Sequence, residues 1–175
     1  MIKLTNYFFT GDEHFFHNNI IKYCNRPFNN VEDMNETIIK KHNEVVKTED
    51  RVIHLGDFTL LKNSVEIFDI IKRLNGNHTF LEGSHDIWLK NKNYNQIWEK
   101  KINDHYVVCC HYSMRVWPRS HYNSWQLYGH SHGRLDPVGK QWDVGVDNNN
   151  FYPVSYDQLV EIMKDRPDNF NLVKQ

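Results

Sequence analysis

The sequence predicts a mixed α/β layered domain, and three observations carry that expectation. The first half alternates short β-prone runs with amphipathic helical stretches, which favours parallel pairing, while the second half is strand-rich with short connections, which favours antiparallel pairing. The 175 residues mix apolar and charged types evenly enough to bury one core, so 1–175 reads as a single domain without staples. Finally, the β-prone runs end again and again in short polar loops that hold Asp, Glu or His.

The elements follow in order. Residues 6–10 (NYFFT) are short, aromatic and β-prone, and leave through Gly11-Asp12-Glu13-His14. Residues 31–46 bring Val31, Met34, Ile38, Val45 and Val46 near one face at helical spacing, with Glu and Lys filling the other. RVIHL at 51–55 returns to β character and stops at Gly56-Asp57. Ser64 can cap a second helix with Ile67, Phe68, Ile71 and Leu74 as its apolar stripe, and Gly76 suits the left-handed position beyond its end. Residues 79–81 form a further short strand ending at Gly83, and 94–101 read as a helical piece. YVVCC at 106–110 is apolar throughout, as a buried strand is, and ends at His111. Residues 124–128 stop at Gly129-His130, 141–146 form one more strand, and Ser155 starts a last helix through Leu159, Val160 and Met163.

Composition narrows the function classes. A net charge of -1 leaves no basic stripe for a nucleic acid polymer. Three cysteines, with Cys109 and Cys110 adjacent in an apolar run, suit reduced thiols in a core better than a disulfide framework, which points to the cytoplasm. No signal peptide and no membrane-spanning run is visible, and the oligomeric state is left open. Eleven histidines are the unusual feature, several of them beside Gly or Asp in turn-like settings.

Five candidate strands run into loops with metal-ligand types: Asp12-Glu13-His14, Gly56-Asp57, Gly83-Ser84-His85-Asp86, His111, and Gly129-His130-Ser131-His132. In α/β sheets, ligands gather outside the carboxyl ends of strands, so residues far apart in sequence can converge there. Position also separates two look-alikes. Gly76-Asn77-His78 stands at a strand entry and its composition is explained by helix termination, whereas Gly83 to Asp86 stands at the exit of the same strand.

The order D-x-H, G-D, G-x-H-D, a lone His and G-H-x-H resembles the calcineurin-like metallophosphoesterases, over Asp12 to His132. HFFHNNIIKYCNRPF, HYSMRVW, LYGHSHG and VDNNNFYPVS are similar to a small single-domain bacterial and phage branch. The resemblance implies a two-sheet αββα sandwich with two divalent metals: Asp12, His14 and His132 on one, His111 and His130 on the other, Asp57 between them. An imidazole and carboxylate set without thiolate fits Mn, Fe, Zn, Ni or Co better than Ca or Mg, and manganese is the first expectation by analogy with the family. It implies hydrolysis of a small phosphodiester or phosphomonoester by a metal-bound hydroxide, on metals about 3.5 to 4 Å apart. His85 would protonate the leaving oxygen and Asp86 would orient His85. Ser84 departs from the pattern, which has Asn as a ligand here, so the second metal is expected to bind less tightly. The alternative is a weakened or inactive binding module, similar to the retromer subunit that keeps this fold but works through protein contacts.

Each residue has a plainer reading as well. Asp57 could cap a turn, and His54, pointing opposite to Ile53 and Leu55 by strand alternation, reads as a satisfied core histidine. His17, Arg26 and Arg115 are candidate substrate contacts, against the usual fate of solvated side chains. The aromatic-rich 117–125 segment could stack a nucleobase or simply pack beneath a loop.

Overall fold

The computed structural model describes residues 6–62, 65–89 and 94–173. Two four-stranded sheets pack face to face in a two-sheet α/β sandwich, as expected. The first has the order β3-β2-β1-β8, with β1 (Tyr7–Thr10), β2 (Arg51–His54) and β3 (Asn77–Phe80) parallel and β8 (Val154–Ser155) antiparallel to β1. The second has the order β4-β5-β6-β7, from β4 (Ile97–Ile102), β5 (His105–Cys110), β6 (Trp125–Tyr128) and β7 (Gln141–Asp143).

Strand alternation builds the core between the sheets. Phe9, Ile53, Leu55 and Leu81 face Val107, Cys109, Trp125 and Leu127, and helix α4 (Tyr156–Asp165) adds Leu159 and Met163. Each such side chain removed from water contributes roughly 1.5–3 kcal/mol. A second core lies on the outer face of the first sheet. There α1 (Asn18–Tyr23), α2 (Val31–Val45) and α3 (Val65–Arg73) bury Ile20, Met34, Ile38, Ile67 and Ile70 with Phe15 and Phe58. Helix ends follow local chemistry: Asn30 accepts from the Asp33 N–H, and Ser155 forms a reciprocal capping box with Gln158. No described helix is long and apolar enough to cross a membrane.

Four expectations are corrected. Residues 94–101 are not helical: β4 pairs antiparallel with β5 from Ile97↔Cys110 to Ile102↔His105, around a turn in which Asn103 adopts φ 48°. Lys100 hid the alternation of Trp98 and Ile102, because its ammonium lies over the Tyr7 ring rather than marking a solvent face. The second sheet is mainly parallel beyond that hairpin, since the 111–124 and 129–140 connections each offer the roughly dozen residues a crossover needs. The α3 stripe is Ile67, Ile70 and Leu74, with Phe68 49% exposed. Finally, β7 stops at Asp143, where Val144 N–H turns to Tyr128 O and Gly145 bridges Gly11. The proposed cap Ser64 lies outside the described residues. Gly76 does take a positive φ, 111°.

His54 is the satisfied core histidine its alternation suggests. Its Nδ1 lies 2.7 Å from Glu13 Oε1 and its Nε2 2.9 Å from His78 Nδ1, and His42 stacks nearby. Burial pushes Glu13 up to about 7 and His54 down to about 3, so this pair shares one proton in the folded state. An unfolded glutamate and histidine also hold one proton between pH of about 4.5 and 6.5, so the pair adds little pH dependence there. His42 and His78 differ: burial pushes them down to about 3 and about 4. Below the ordinary value of 6.5 the unfolded chain takes up protons that these rings refuse, so stability falls as pH drops from 6.5 toward 4. Urea unfolding between pH 6.5 and 4.5 should show a slope that His78→Gln flattens by about one proton, ~1.4 kcal/mol per pH unit. Equal slopes would place the His78 proton elsewhere.

Candidate metal centre

The exits of β1, β2, β3, β5 and β6 open toward one end of the sandwich, where the Gly11↔Gly145 bridge ties the two sheets together. The donor atoms of Asp12, His14 and His132 lie within 4.8 Å of one another, and so do those of Asp57, His111 and His130. Asp57 stands between the groups: its Oδ2 is 3.7 Å from His14 Nε2 and 3.3 Å from His111 Nε2. Six of the sequence-predicted ligands therefore converge as two trios, with Asp57 of the second close to His14 of the first. A third trio, Cys24 with His132 and Asp147, reuses His132.

The donor chemistry fits cations. Both ring nitrogens of His14 are buried and make no hydrogen bond, a costly state for an imidazole unless something else takes its lone pair. Burial pushes the His14 ring down to about 2, keeping it neutral, the form that ligates. His111 Nδ1 lies 2.8 Å from Leu55 O, which fixes the proton there and turns the Nε2 lone pair toward His130 Nδ1, 3.2 Å away. His132 is held likewise, with Nδ1 2.7 Å from Asp147 Oδ2. Asp12 is fully buried and, among the described residues, its carboxylate receives the His130 N–H alone, so desolvation raises it to about 7. Burial also opposes ionisation of Asp57, but His111, His14 and the His85 N–H outweigh it and hold Asp57 below the ordinary carboxylate range. A cation between these groups would relieve the unpaired charge and the unpaired nitrogens together.

Backbone strain is concentrated at the same residues. Asp12, His14, Asp57, His130 and His132 all adopt left-handed φ of 50–64°. Such conformations cost of order 1 kcal/mol or more each in non-glycine residues and persist where surroundings over-determine them. Glycines make that possible: a Cβ on Gly83 would stand 2.3 Å from Asp57 N, and one on Gly145 2.6 Å from Asp12 Oδ2.

Asp86 does not orient the His85 ring. Its Oδ2 accepts the N–H groups of Asp57 and Gly83, and its Oδ1 accepts those of Phe58, Thr59 and the Trp88 indole. The buried carboxylate staples the turn that carries Asp57 to the loop that carries His85. Arg26 is corrected too: its five N–H donors go to both Asp147 oxygens, the Asp12 and Glu13 carbonyls and Met34 Sδ, leaving none for a phosphate. Arg115 lies over the Phe170 ring. His17 does adjoin the site, 5.4 Å from the His14 ring and 6.3 Å from that of His85, with a buried, unpaired Nδ1. The His85 side chain is 44% exposed at the mouth, its Nε2 4.0 Å from Asp57 Oδ2. Ser84 Oγ donates toward Asp57, at 3.0 and 3.2 Å from its oxygens.

Sequence reasoning missed Asp147, which links Arg26 to His132, and Asp143, which accepts from Ser131 Oγ and the Gly133 and Gly145 N–H groups. Asp147 follows Val146 in the VDNNN stretch, whose polar run after a strand was the available signal.

No protein-family model matches the chain. It is 34% identical over 171 residues to the uncharacterized protein MJ1445 of Methanocaldococcus jannaschii, covering 93% of this chain and 94% of that one. Among solved structures, the protein of unknown function AQ665 from Aquifex aeolicus matches with a TM-score of 0.71 at 23% identity, over 91% of this chain and 100% of that one. That likeness is one of fold. Vps29 from Entamoeba histolytica stands further off, with a TM-score of 0.48 and 17% identity over 81% and 73% of the two chains.

The two roles for Asp86 separate experimentally. Asp86→Asn places an amide NH2 against backbone donors and should destabilise the fold by about 2–4 kcal/mol in thermal or urea unfolding, with metal affinity falling as Asp57 is released. Unchanged stability with a slower reaction would return Asp86 to the role of orienting His85.

Proposed function

The chain belongs to the family of the Methanocaldococcus jannaschii protein MJ1445, and for this member we propose a metal-dependent phosphoesterase acting on small phosphodiesters or phosphomonoesters. The observation that carries the reading is the pair of donor trios joined through Asp57, with both ring nitrogens of His14, in the first trio, free of hydrogen bonds. Two divalent ions, with manganese first by analogy with the calcineurin-like enzymes, would supply Lewis acidity and a water of lowered pKa there. Asp12, His14 and His132 would hold one, His111 and His130 the other, and Asp57 both.

The chain's own groups do the rest. His85 lies at the open side of Asp57, and its ring is 5.4 Å from that of His14. From there its imidazolium can protonate a departing alkoxide, which ordinarily contributes 10²–10⁴-fold. The His85 N–H, 2.8 Å from Asp57 Oδ1, and the Ser84 hydroxyl hold the shared carboxylate in place while that happens. Asp147 and Arg26 fix the His132 ring from behind. Two dications less two carboxylates leave a net positive mouth, suited to a phosphate in a chain of net charge -1. A nucleic acid polymer remains outside the proposal on the same charge argument, and an inactive binding module rests on Ser84 alone.

Turnover of aryl phosphodiesters and cyclic nucleotides by chelator-treated protein should appear on adding manganese, cobalt, nickel or zinc. His85→Ala should slow alkyl esters by about 10²–10⁴-fold and nitrophenyl esters far less, because a good leaving group needs no proton. Ser84→Asn should tighten the weaker metal and raise activity at limiting metal. No turnover with any ion defeats the enzyme reading; equal His85→Ala losses for both ester types defeat the acid assignment.

A further inference from the structure

A cleft lies at the opposite end of the sandwich from the candidate metal loops. It is bounded by the β4–β5 turn, by the starts of β6 and β7, and by the second half of α4. Its volume, about 650 Å³, is that of a small-molecule site. The proposed phosphoesterase chemistry uses none of it.

Its lining combines a ring floor with a cation excess. His105 stacks on Trp125 with centroids 4.0 Å apart and planes 23° from parallel, and His105 Nδ1 is tied to the Tyr156 hydroxyl at 2.7 Å. Val160 and Met163 supply an apolar wall. Lys101, Arg119, Lys140 and Lys164 line the same space, and among the described lining residues the acid is Asp104. Lys164 also pairs with Glu161. Two of the cations are positioned in advance. Arg119 holds its guanidinium over the Tyr106 ring at 4.5 Å, from a left-handed backbone of φ 60°. Lys140 donates to the carbonyls of Met163 and Arg166 at 2.8 and 2.7 Å, which leaves one N–H for a ligand.

On a chain of net charge -1, four cations around one ring-floored cleft are a local asymmetry that selects an anion carrying a flat ring. We propose that this cleft is a second binding site, for a mononucleotide: the ring lies against the His105–Trp125 stack and the phosphate meets Arg119 and Lys101. A bare phosphate would leave the ring floor and the Val160–Met163 wall unused. A polymer would need cations continuing beyond the cleft, which the overall charge does not supply.

The test is calorimetric titration of AMP into the full chain with metals withheld, and into Asp57→Asn, so that the metal centre cannot hold the phosphate. Both should bind equally. The exposed Lys101→Glu/Arg119→Glu pair should weaken AMP by about tenfold or more, since charge-assisted hydrogen bonds are lost, while folding and metal-dependent turnover stay unchanged. Adenosine and inorganic phosphate, each carrying half of the recognition, should bind more weakly than AMP. Affinity unmoved by the charge reversal, phosphate binding as tightly as AMP, or an oligonucleotide binding more tightly than AMP would each overturn the proposal.

Discussion

The structure depends on the burial of two carboxylates, Asp12 and Asp57, at the ends of adjacent parallel strands. Taking such groups from water costs several kcal/mol each unless charge or hydrogen bonds compensate. Asp57 finds donors in Ser84 and in the His85 N–H, with the imidazoles of His14 and His111 beside it, whereas Asp12 finds the His130 N–H. That difference is why burial raises Asp12 while Asp57 stays low. Cations held between them, as proposed above, would relieve both, and the unpaired nitrogens of His14 belong to the same account.

Around those two residues the chain accepts backbone strain. Five of the donor residues are left-handed, and the turns that carry them are pressed together where Gly83 and Gly145 leave no room for a Cβ. Asp86 binds the turn after β2 to the loop after β3, and the Arg26–Asp147–His132 chain binds the start of the molecule to its end. These contacts hold the site's geometry before anything binds, which lowers the cost of ordering it later.

Much of this was legible in the sequence. Each donor follows a β-prone run, so strand exits alone bring Asp12, Asp57, His111 and His130 to one end. The distinction between His78 and His85 required only the direction of β3 through its two ends. What was not legible depends on burial and on partners distant in sequence. Nothing local shows that five donors from three segments converge on Asp86, or that Arg26 is buried beneath the candidate metal loops, its donors spent on protein acceptors. The β4 strand was obscured because Lys100 occupies an aromatic-facing position, a choice that tertiary packing makes and periodicity cannot show.

The central claim, that buried carboxylates and imidazoles are arranged for a pair of cations sharing Asp57, is tested most directly by counting ions. Equilibrium dialysis of the full chain against manganese, followed by metal analysis, should give two ions per chain, with His111→Ala keeping one and Asp57→Asn losing both. A folded wild-type chain that binds no ion, or an Asp57→Asn variant that binds as many as the wild type, would contradict it.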